Sequence, residues 1–143
     1  AWLAGLVTMA TPLAAAADVA LQLVIAAPLG RWDVDGESLG RALLALLDNA
    51  IAASPPRAAV LLSARSDGEY AYLEVRDHGT GMTPEIRDRM FHLGFTTRPG
   101  HSGLGLAIAK QVIKSQHGGD LRVETAPGQG TTMRVQLPLE TDE

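Results

Sequence analysis

An acidic residue and an amide, Asp48 and Asn49, interrupt an otherwise apolar segment of the chain. Both residue types are unfavourable in the middle of a helix because their side chains compete for backbone hydrogen bonds. An Asn side-chain oxygen is a hard, neutral ligand that suits Mg²⁺, an ion that often shares its coordination shell with substrate phosphates. Taken alone, however, the pair is more typical of the solvent side of an amphipathic helix.

A second candidate is Asp77, which is followed by Gly79 and Gly81 and preceded by a segment typical of a strand. A carboxylate at the end of a strand can accept a hydrogen bond from an exocyclic amine, and charge-assisted bonds of this kind are strong. The two glycines allow the backbone to turn close to a flat ring, because no Cβ stands in the way. The pattern is weak by itself, since an ordinary loop between a strand and a helix gives the same residues.

A third segment, residues 94–98, combines Phe95 with Arg98 between two glycines and a proline. Phe95 could anchor a moving segment, and the Arg98 guanidinium supplies a fixed cation that could meet a phosphate. An exposed loop whose polar residues have no such role is an equally open interpretation.

A fourth segment, Ser102-Gly103-Leu104-Gly105, opens an apolar helical pattern with a pair of glycines. Helix N-termini present unpaired N–H groups and a partial positive charge, so they hold phosphates well. The pattern is neither a dinucleotide-binding fingerprint after a strand nor a P-loop, because no Gly-Lys-Ser/Thr follows it. A tightly packed helix cap is the alternative.

The elements that would position these residues can be predicted from apolar spacing and turn residues. Leucines at helical spacing predict a helix over 36–53 that stops before Pro55-Pro56, and a short helix is expected to begin at Thr83-Pro84. A third helix is predicted over 104–117, capped by Gly118-Gly119, and residues 93–102 are typical of a mobile loop. Alternating segments predict strands over 19–26, 58–65, 70–76, 121–125 and 131–137. Regular βαβ alternation is missing, which favours a sheet with helices on one face.

Composition narrows the possible functions. The 143 residues contain no Cys, which excludes disulfides, thiolate metal sites and cysteine nucleophiles. The net charge is −4 and the basic residues are scattered, so a broad nucleic-acid surface is not expected.

The first residues of the chain form an uncharged, apolar segment over 1–17. A membrane span needs about 20 predominantly apolar residues, and Thr8, Thr11 and Pro12 interrupt this one. A secretory signal would need a basic start, which this segment lacks. We therefore expect residues 1–18 to be the remnant of a preceding helical or linker segment, packed on an element outside the chain, and residues 19–143 to form the main domain.

Together, the four segments in this order resemble the ATP-binding catalytic domain of sensor histidine kinases. That domain belongs to the GHKL superfamily, which also includes gyrase, a heat-shock chaperone and a mismatch-repair ATPase. The resemblance covers about residues 19–139 and is specific as a set, although each member is weak alone. The matching segments are the N box (43–50), the first glycine box (77–81), the F box (91–98), the second glycine box (103–106) and the closing strand (128–138).

The resemblance implies a fold and a cofactor pair. The fold would be α/β (α+β), a Bergerat-type two-layer sandwich with a mixed β-sheet and helices on one face. The ligands would be ATP, with ADP as product, and Mg²⁺. Asn49 would be the Mg²⁺ ligand and hence a catalytic residue, and Asp77 would accept from the adenine amino group.

The resemblance assigns supporting roles to further residues. Gly79 and Gly81 would shape the pocket wall, Thr131 would support Asp77 directly or through water, and residues 82–102 would form a lid over the nucleotide. The phosphates would be bound by Arg98, Ser102, Gly103, Leu104 and Gly105.

The resemblance also implies partners and a location. The chain would deliver phosphate to a His on a dimerisation domain of the same parent protein, and a response regulator would be an indirect partner. Neither nucleic acid nor the membrane would contact this domain, which would lie in the bacterial cytoplasm; such parents are often anchored in the inner membrane. None of His78, His92, His101 and His117 has the context of a phosphoacceptor, so we expect lid or surface positions for them.

Ala45 departs most clearly from the family pattern. Kinase relatives usually have a polar residue there, commonly Asn, and hydrolytic relatives have a Glu that activates water. Because alanine can neither polarise water nor bind metal, it argues against hydrolysis by general-base catalysis. Two alternatives to a kinase domain therefore stay open: a nucleotide-binding regulatory module without catalysis and, less favoured, a hydrolytic ATPase.

Overall fold

The computed structural model describes residues 2–25, 36–67, 69–90, 105–116 and 118–138. Within these ranges the helices and strands follow the predicted order, with bounds shifted by one or two residues in most cases. The helices are α1 (Trp2–Ala16), α2 (Gly36–Ala53), α3 (Pro84–Arg89) and α4 (Gly105–Gln111), the last continued by a π-helical turn (Val112–Gln116). The strands are β1 (Ala20–Ile25), β2 (Ala59–Ser66), β3 (Tyr70–Asp77), β4 (Asp120–Thr125) and β5 (Thr131–Pro138).

The five strands form one mixed sheet in the order β1-β2-β3-β5-β4. β1 and β2 are parallel, and every other neighbouring pair is antiparallel. Parallel strands need a long crossover connection, and α2 lies in the connection between β1 and β2. The mixed sheet predicted from the resemblance is confirmed.

The apolar core lies between the sheet and the helices on one of its faces. Buried and partly buried residues alternate along β2, β3 and β5, as expected when only one face is covered. From α2, residues at helical spacing are buried against that face, namely Leu39, Leu43, Leu46, Leu47 and Ala50. The two-layer sandwich is therefore present. We call the sheet face that packs against the helices the covered face and the opposite one the open face.

Helix α1 packs within the domain. Ala10 and Ala14 are buried in the common core, and α1 contacts both α2 and β1. Met9 and Leu13 on the helix are 64% and 43% exposed, and the expected packing on an element outside the chain stays a prediction. In the described part of the chain, no helix combines the length and apolarity that crossing a membrane requires.

Two predicted helix ends are confirmed by their caps. The Thr83 hydroxyl accepts from the Ile86 N–H at 3.3 Å, and Pro84 occupies the first turn of α3. At the other end of the chain, the Gly119 N–H donates to the Ile113 carbonyl at 2.9 Å, which closes the turn after α4.

The last turn after α4 differs from the uniform helix that we predicted over 104–117. It is π-helical from Val112 to Gln116, and the consecutive residues Val112 and Ile113 are both buried.

Candidate functional site

A row of three polar side chains crosses one end of the covered face. Asp77, the last residue of β3, pairs with Thr131 of β5, which pairs with Thr125 of β4. Residues in register on adjacent strands point to the same face, and all three are in phase with the apolar core residues of their strands. Among the described residues, Asp77 (3% exposed) and Thr131 (5%) are the buried polar side chains. A buried carboxylate at the edge of an apolar core indicates a binding site.

The Asp77 carboxylate is held by one of its oxygens. Oδ1 accepts from the Gly79 N–H at 2.9 Å and from the Thr131 N–H at 3.2 Å. In the part of the chain that the structure describes, no hydrogen bond reaches Oδ2, and no fully buried side-chain oxygen there lacks a partner. Oδ2 therefore reaches solvent-accessible space, where it can accept a hydrogen bond from a ligand. The direct support from Thr131 comes through its backbone.

Burial raises the pKa of Asp77 above its ordinary value of 3.8, and the N–H groups of Gly79 and Thr131 and the nearby His78 offset part of this rise. As the pH falls from neutral, the folded state takes up the Asp77 proton before the unfolded state does. Ionised Asp77 therefore lowers the free energy of unfolding at neutral pH, and protonation relieves that effect.

We predict that the stability difference between Asp77→Asn and the wild type depends on pH in a defined direction. Asn keeps an Oδ1 acceptor and carries no charge. The free energy of unfolding of the variant should therefore exceed that of the wild type by most at neutral pH. The gain should shrink as the pH falls through the raised pKa of Asp77 towards 3.8. Urea unfolding of both proteins at several pH values measures it; a difference that is constant with pH would contradict the raised pKa.

Gly79 and Gly81 fit the loop after Asp77 between two other segments. A Cβ on Gly79 would overlap the carbonyl of Ala53, the last residue of α2. Gly81 has a φ of +69°, and a Cβ there would overlap the carbonyl of Ala126 in the β4–β5 turn. The close neighbours that the structure shows are protein backbone, and the predicted approach of these glycines to a flat ring stays a prediction.

Gly79→Ala should lower the free energy of unfolding by about 1–3 kcal/mol, because the new methyl group must displace a backbone carbonyl rather than a side chain. Thr80→Ala is the control in the same loop, since Thr80 is exposed and should change stability by less than about 0.5 kcal/mol. Chemical denaturation of both variants compares them, and equal effects would mean that the contact with α2 is loose.

The same loop is hydrogen-bonded to the β4–β5 hairpin. The Gly128 N–H donates to the Thr80 carbonyl at 2.6 Å, and the Met82 N–H donates to Thr125 Oγ1 at 2.9 Å. Thr125 is not among the residues predicted from the sequence, because a threonine in a strand is common and only the register with Thr131 reveals its position. The loop from Asp77 to Met82 is thus attached on both sides.

Asn49 lies on α2 one turn before Ala53, the residue that Gly79 contacts. Residues four apart share a helix face, so Asn49 lies on the side of α2 that leads towards the Asp77 loop. Its side chain is half-buried, as is that of Ala45 one turn earlier. Within the described ranges, no group of three or more His, Asp or Glu side chains is placed so that it could hold a metal ion.

Four of the five predicted phosphate-binding residues lie outside the described part of the chain. Arg98, Ser102, Gly103 and Leu104 lie outside the described residues, and so does most of the predicted lid over 82–102. Gly105 is the first residue of α4, which packs on α2, the helix that contains Asn49. Of the four histidines, His78 is exposed and the other three lie outside the described ranges.

A second polar cluster lies on the open face of the sheet. Arg134 bonds Glu74 at 2.6 Å and Glu124 at 2.9 Å, and the Arg65 guanidinium lies 4.2 Å from the centroid of the Tyr72 ring. Contact with Glu74 raises the pKa of Arg134. Because these charges are satisfied within the cluster, the Asp77 end of the covered face is the better candidate site.

The family profile described as "Histidine kinase-, DNA gyrase B-, and HSP90-like ATPase" matches residues 34–141. That range contains Asn49, Asp77 and Thr131, the residues that the structure places around one end of the covered face. The chain belongs to this family. Within it, the chain is the ATP-binding domain of a two-component sensor histidine kinase.

A curated relative supports the same family. The chain is 48% identical over 120 residues to the signal transduction histidine-protein kinase/phosphatase MprB of Mycolicibacterium vanbaalenii, an alignment that covers 75% of this chain and 24% of that protein. The chain therefore spans about a quarter of the length of that relative.

Solved structures show the same fold. A mycobacterial sensor histidine kinase MprB superposes with a TM-score of 0.79 at 34% identity, covering 98% of this chain and 96% of that one. Full-length ShkA in complex with AMPPNP superposes with a TM-score of 0.87 at 28% identity, covering 99% of this chain and 30% of that one.

Proposed function

We propose that this domain binds Mg-ATP and positions its γ-phosphate for transfer to a His on a separate dimerisation domain of the same parent protein. The observation that carries the proposal is the Asp77 carboxylate, buried at the end of β3 and held through Oδ1 so that Oδ2 is left for a ligand. Family membership supports ATP as that ligand.

Asp77 would recognise the base. The adenine 6-amino group is a donor, whereas guanine presents an acceptor oxygen at the same position. A carboxylate fixed by two backbone N–H groups is an acceptor with no donor to offer while it is ionised. The site is therefore suited to adenine.

Asn49 would serve as the protein ligand of Mg²⁺, and the donor set fits this role. An amide oxygen is a hard donor, and Mg²⁺ is usually held by a few protein oxygens together with substrate phosphates and water rather than by a complete protein cage. The absence of a three-residue acidic or histidine cluster in the described ranges agrees with that mode. When bound, the ion would neutralise charge on the phosphates.

Catalysis would consist mostly of positioning. The transferred phosphoryl group needs little covalent chemistry from the protein, so holding the base at Asp77 and the metal at Asn49 supplies the alignment with the acceptor. Ala45 offers no base to activate water, which disfavours a hydrolytic ATPase. The same alanine favours the second candidate function, a nucleotide-binding regulatory module without transfer.

The test is phosphotransfer between separate proteins. The chain is mixed with radiolabelled Mg-ATP and a helical dimerisation domain that contains the phosphoacceptor His, taken from a relative such as MprB. We expect acid-labile phosphohistidine on the dimerisation domain. ATP binding without phosphohistidine would favour the regulatory module, and steady release of phosphate by the chain alone would favour the ATPase.

The cellular location and the partners of the domain are part of the proposal, because the chain spans only about a quarter of the length of its curated relatives. We place it in the bacterial cytoplasm, in a parent protein able to be anchored in the inner membrane. The parent would pass its phosphate on to a response regulator. ADP would be the product that leaves the site, and neither nucleic acid nor the membrane would contact this domain directly.

A further inference from the structure

We infer that Thr125 is a positioning residue that makes the Thr131 hydroxyl an obligatory acceptor next to Asp77, and thereby strengthens selection of adenine over guanine. The inference rests on the proposed function, in which Asp77 faces the amino group of a purine.

Thr125 Oγ1 makes three hydrogen-bond contacts. It lies 2.9 Å from the Met82 nitrogen, 3.0 Å from the Gly130 oxygen and 2.9 Å from Thr131 Oγ1. A backbone N–H can only donate and a carbonyl can only accept, so Thr125 must accept from Met82 and donate to Gly130.

The bond to the Gly130 carbonyl uses the single proton of the Thr125 hydroxyl, and the bond from the Met82 N–H uses one of its lone pairs. The third bond, between the two threonine hydroxyls, must therefore use the Thr131 proton, with Thr125 accepting through its second lone pair. Geometry alone permits either direction for this bond, but the neighbouring backbone groups permit only one. Thr131 Oγ1 consequently has only lone pairs to offer to any other partner.

The position of Thr131 makes this direction relevant to the ligand. Thr131 lies opposite Asp77 in the register, with both side chains on the covered face. Side chains paired in this way have Cβ atoms about 4.5–5.5 Å apart, within reach of one ligand group or one bridging water. Asp77 Oδ2 and Thr131 Oγ1 would then both be acceptors, which matches an amine and repels the guanine oxygen.

The experiment compares ATP and GTP affinities by isothermal titration for the wild type, Thr125→Val and Thr125→Ser. Valine removes the acceptor, so the Thr131 hydroxyl is freed to donate into the site, and the preference for ATP over GTP should fall by about five- to tenfold. Serine keeps the hydroxyl and should keep the preference. Thr132→Val, on the open face beside Thr131, is the control and should bind both nucleotides as the wild type does.

The ratio of affinities separates this role from a merely structural one, because loosened packing would weaken both nucleotides alike. A Thr125→Val protein that binds ATP with an unchanged preference overturns the inference and leaves the proposed function standing. A wild-type protein that binds no ATP overturns the proposed function itself.

If Thr125→Val does not fold, Thr131→Val supplies the deciding measurement. We expect it to weaken binding of ATP but not of purine riboside triphosphate, which lacks the 6-amino group. Equal weakening of both nucleotides would show that the Thr131 hydroxyl does not accept from the amine, and would overturn the inference.

Discussion

Asp77→Asn is expected to weaken ATP binding by about 1.5–3 kcal/mol while the domain stays folded. Asn retains an Oδ1 that can accept from the N–H groups of Gly79 and Thr131, so the loop keeps its two anchoring bonds. The atom in the position of Oδ2 becomes an NH₂ donor, which would face the donor amine of adenine. The substitution therefore changes recognition and leaves the support of the loop in place.

Isothermal titration of ATP into the wild type and the variant measures the effect, which corresponds to roughly 10- to 150-fold in Kd. Glu74→Gln is the matched control: it neutralises a carboxylate on the same strand, but Glu74 lies on the open face and bonds Arg134. We expect it to bind ATP like the wild type. Wild-type affinity in Asp77→Asn would remove Asp77 from the site.

The sheet and α2 could be predicted because burial on one side leaves a periodic trace in the sequence. In β3, Ala71, Leu73 and Val75 alternate with more polar residues, and Asp77 continues the buried phase as a single carboxylate. A charged residue at a position where the alternation predicts a buried apolar one can be recognised from the sequence alone. The glycine motif after Asp77 indicated a binding role for this carboxylate. The structure shows that the N–H groups of Gly79 and Thr131 compensate for its burial.

The packing of α1 could not be predicted in the same way. Its sequence is uncharged and rich in alanine, so no polar side distinguishes the buried face from the exposed one. Ala10 and Ala14 are buried while Met9 and Leu13 are exposed. Side-chain hydrophobicity alone would predict the opposite, because Met and Leu are larger and more apolar than Ala. Small residues allow a helix to approach its neighbour closely, and only the position of α2 reveals which side makes that approach.

The polar row was only half predictable, because its members are far apart in the chain. Thr131 follows a glycine-rich turn that the family resemblance singles out, whereas Thr125 ends an unremarkable strand. What joins them is the antiparallel register of β4 and β5. Hydrogen-bond direction adds a constraint that residue types do not contain, since it depends on which backbone groups meet one hydroxyl.

Asn49→Ala is expected to abolish the dependence of ATP affinity on Mg²⁺. Alanine removes the amide oxygen, and the position is half-buried on α2, one turn from the contact between Ala53 and Gly79. Loss of even an outer-shell partner of a metal site lowers metal affinity by about 10- to 100-fold, so loss of a direct ligand should have at least that effect. Binding of ATP without metal should change little, because Asp77 and not Asn49 would hold the base.

Titrations with ATP in the presence and absence of Mg²⁺ test this prediction, and Asn49→Asp is the informative companion. Aspartate keeps an oxygen ligand at the same position, so Mg²⁺ should still strengthen ATP binding in that variant. If Asn49→Ala retained the full effect of Mg²⁺, the ion would be held elsewhere and the assignment of Asn49 would be wrong. If both variants lost the effect of Mg²⁺, the NH₂ group of Asn49 would be required in addition to its oxygen, because the two substitutions share only the loss of that group.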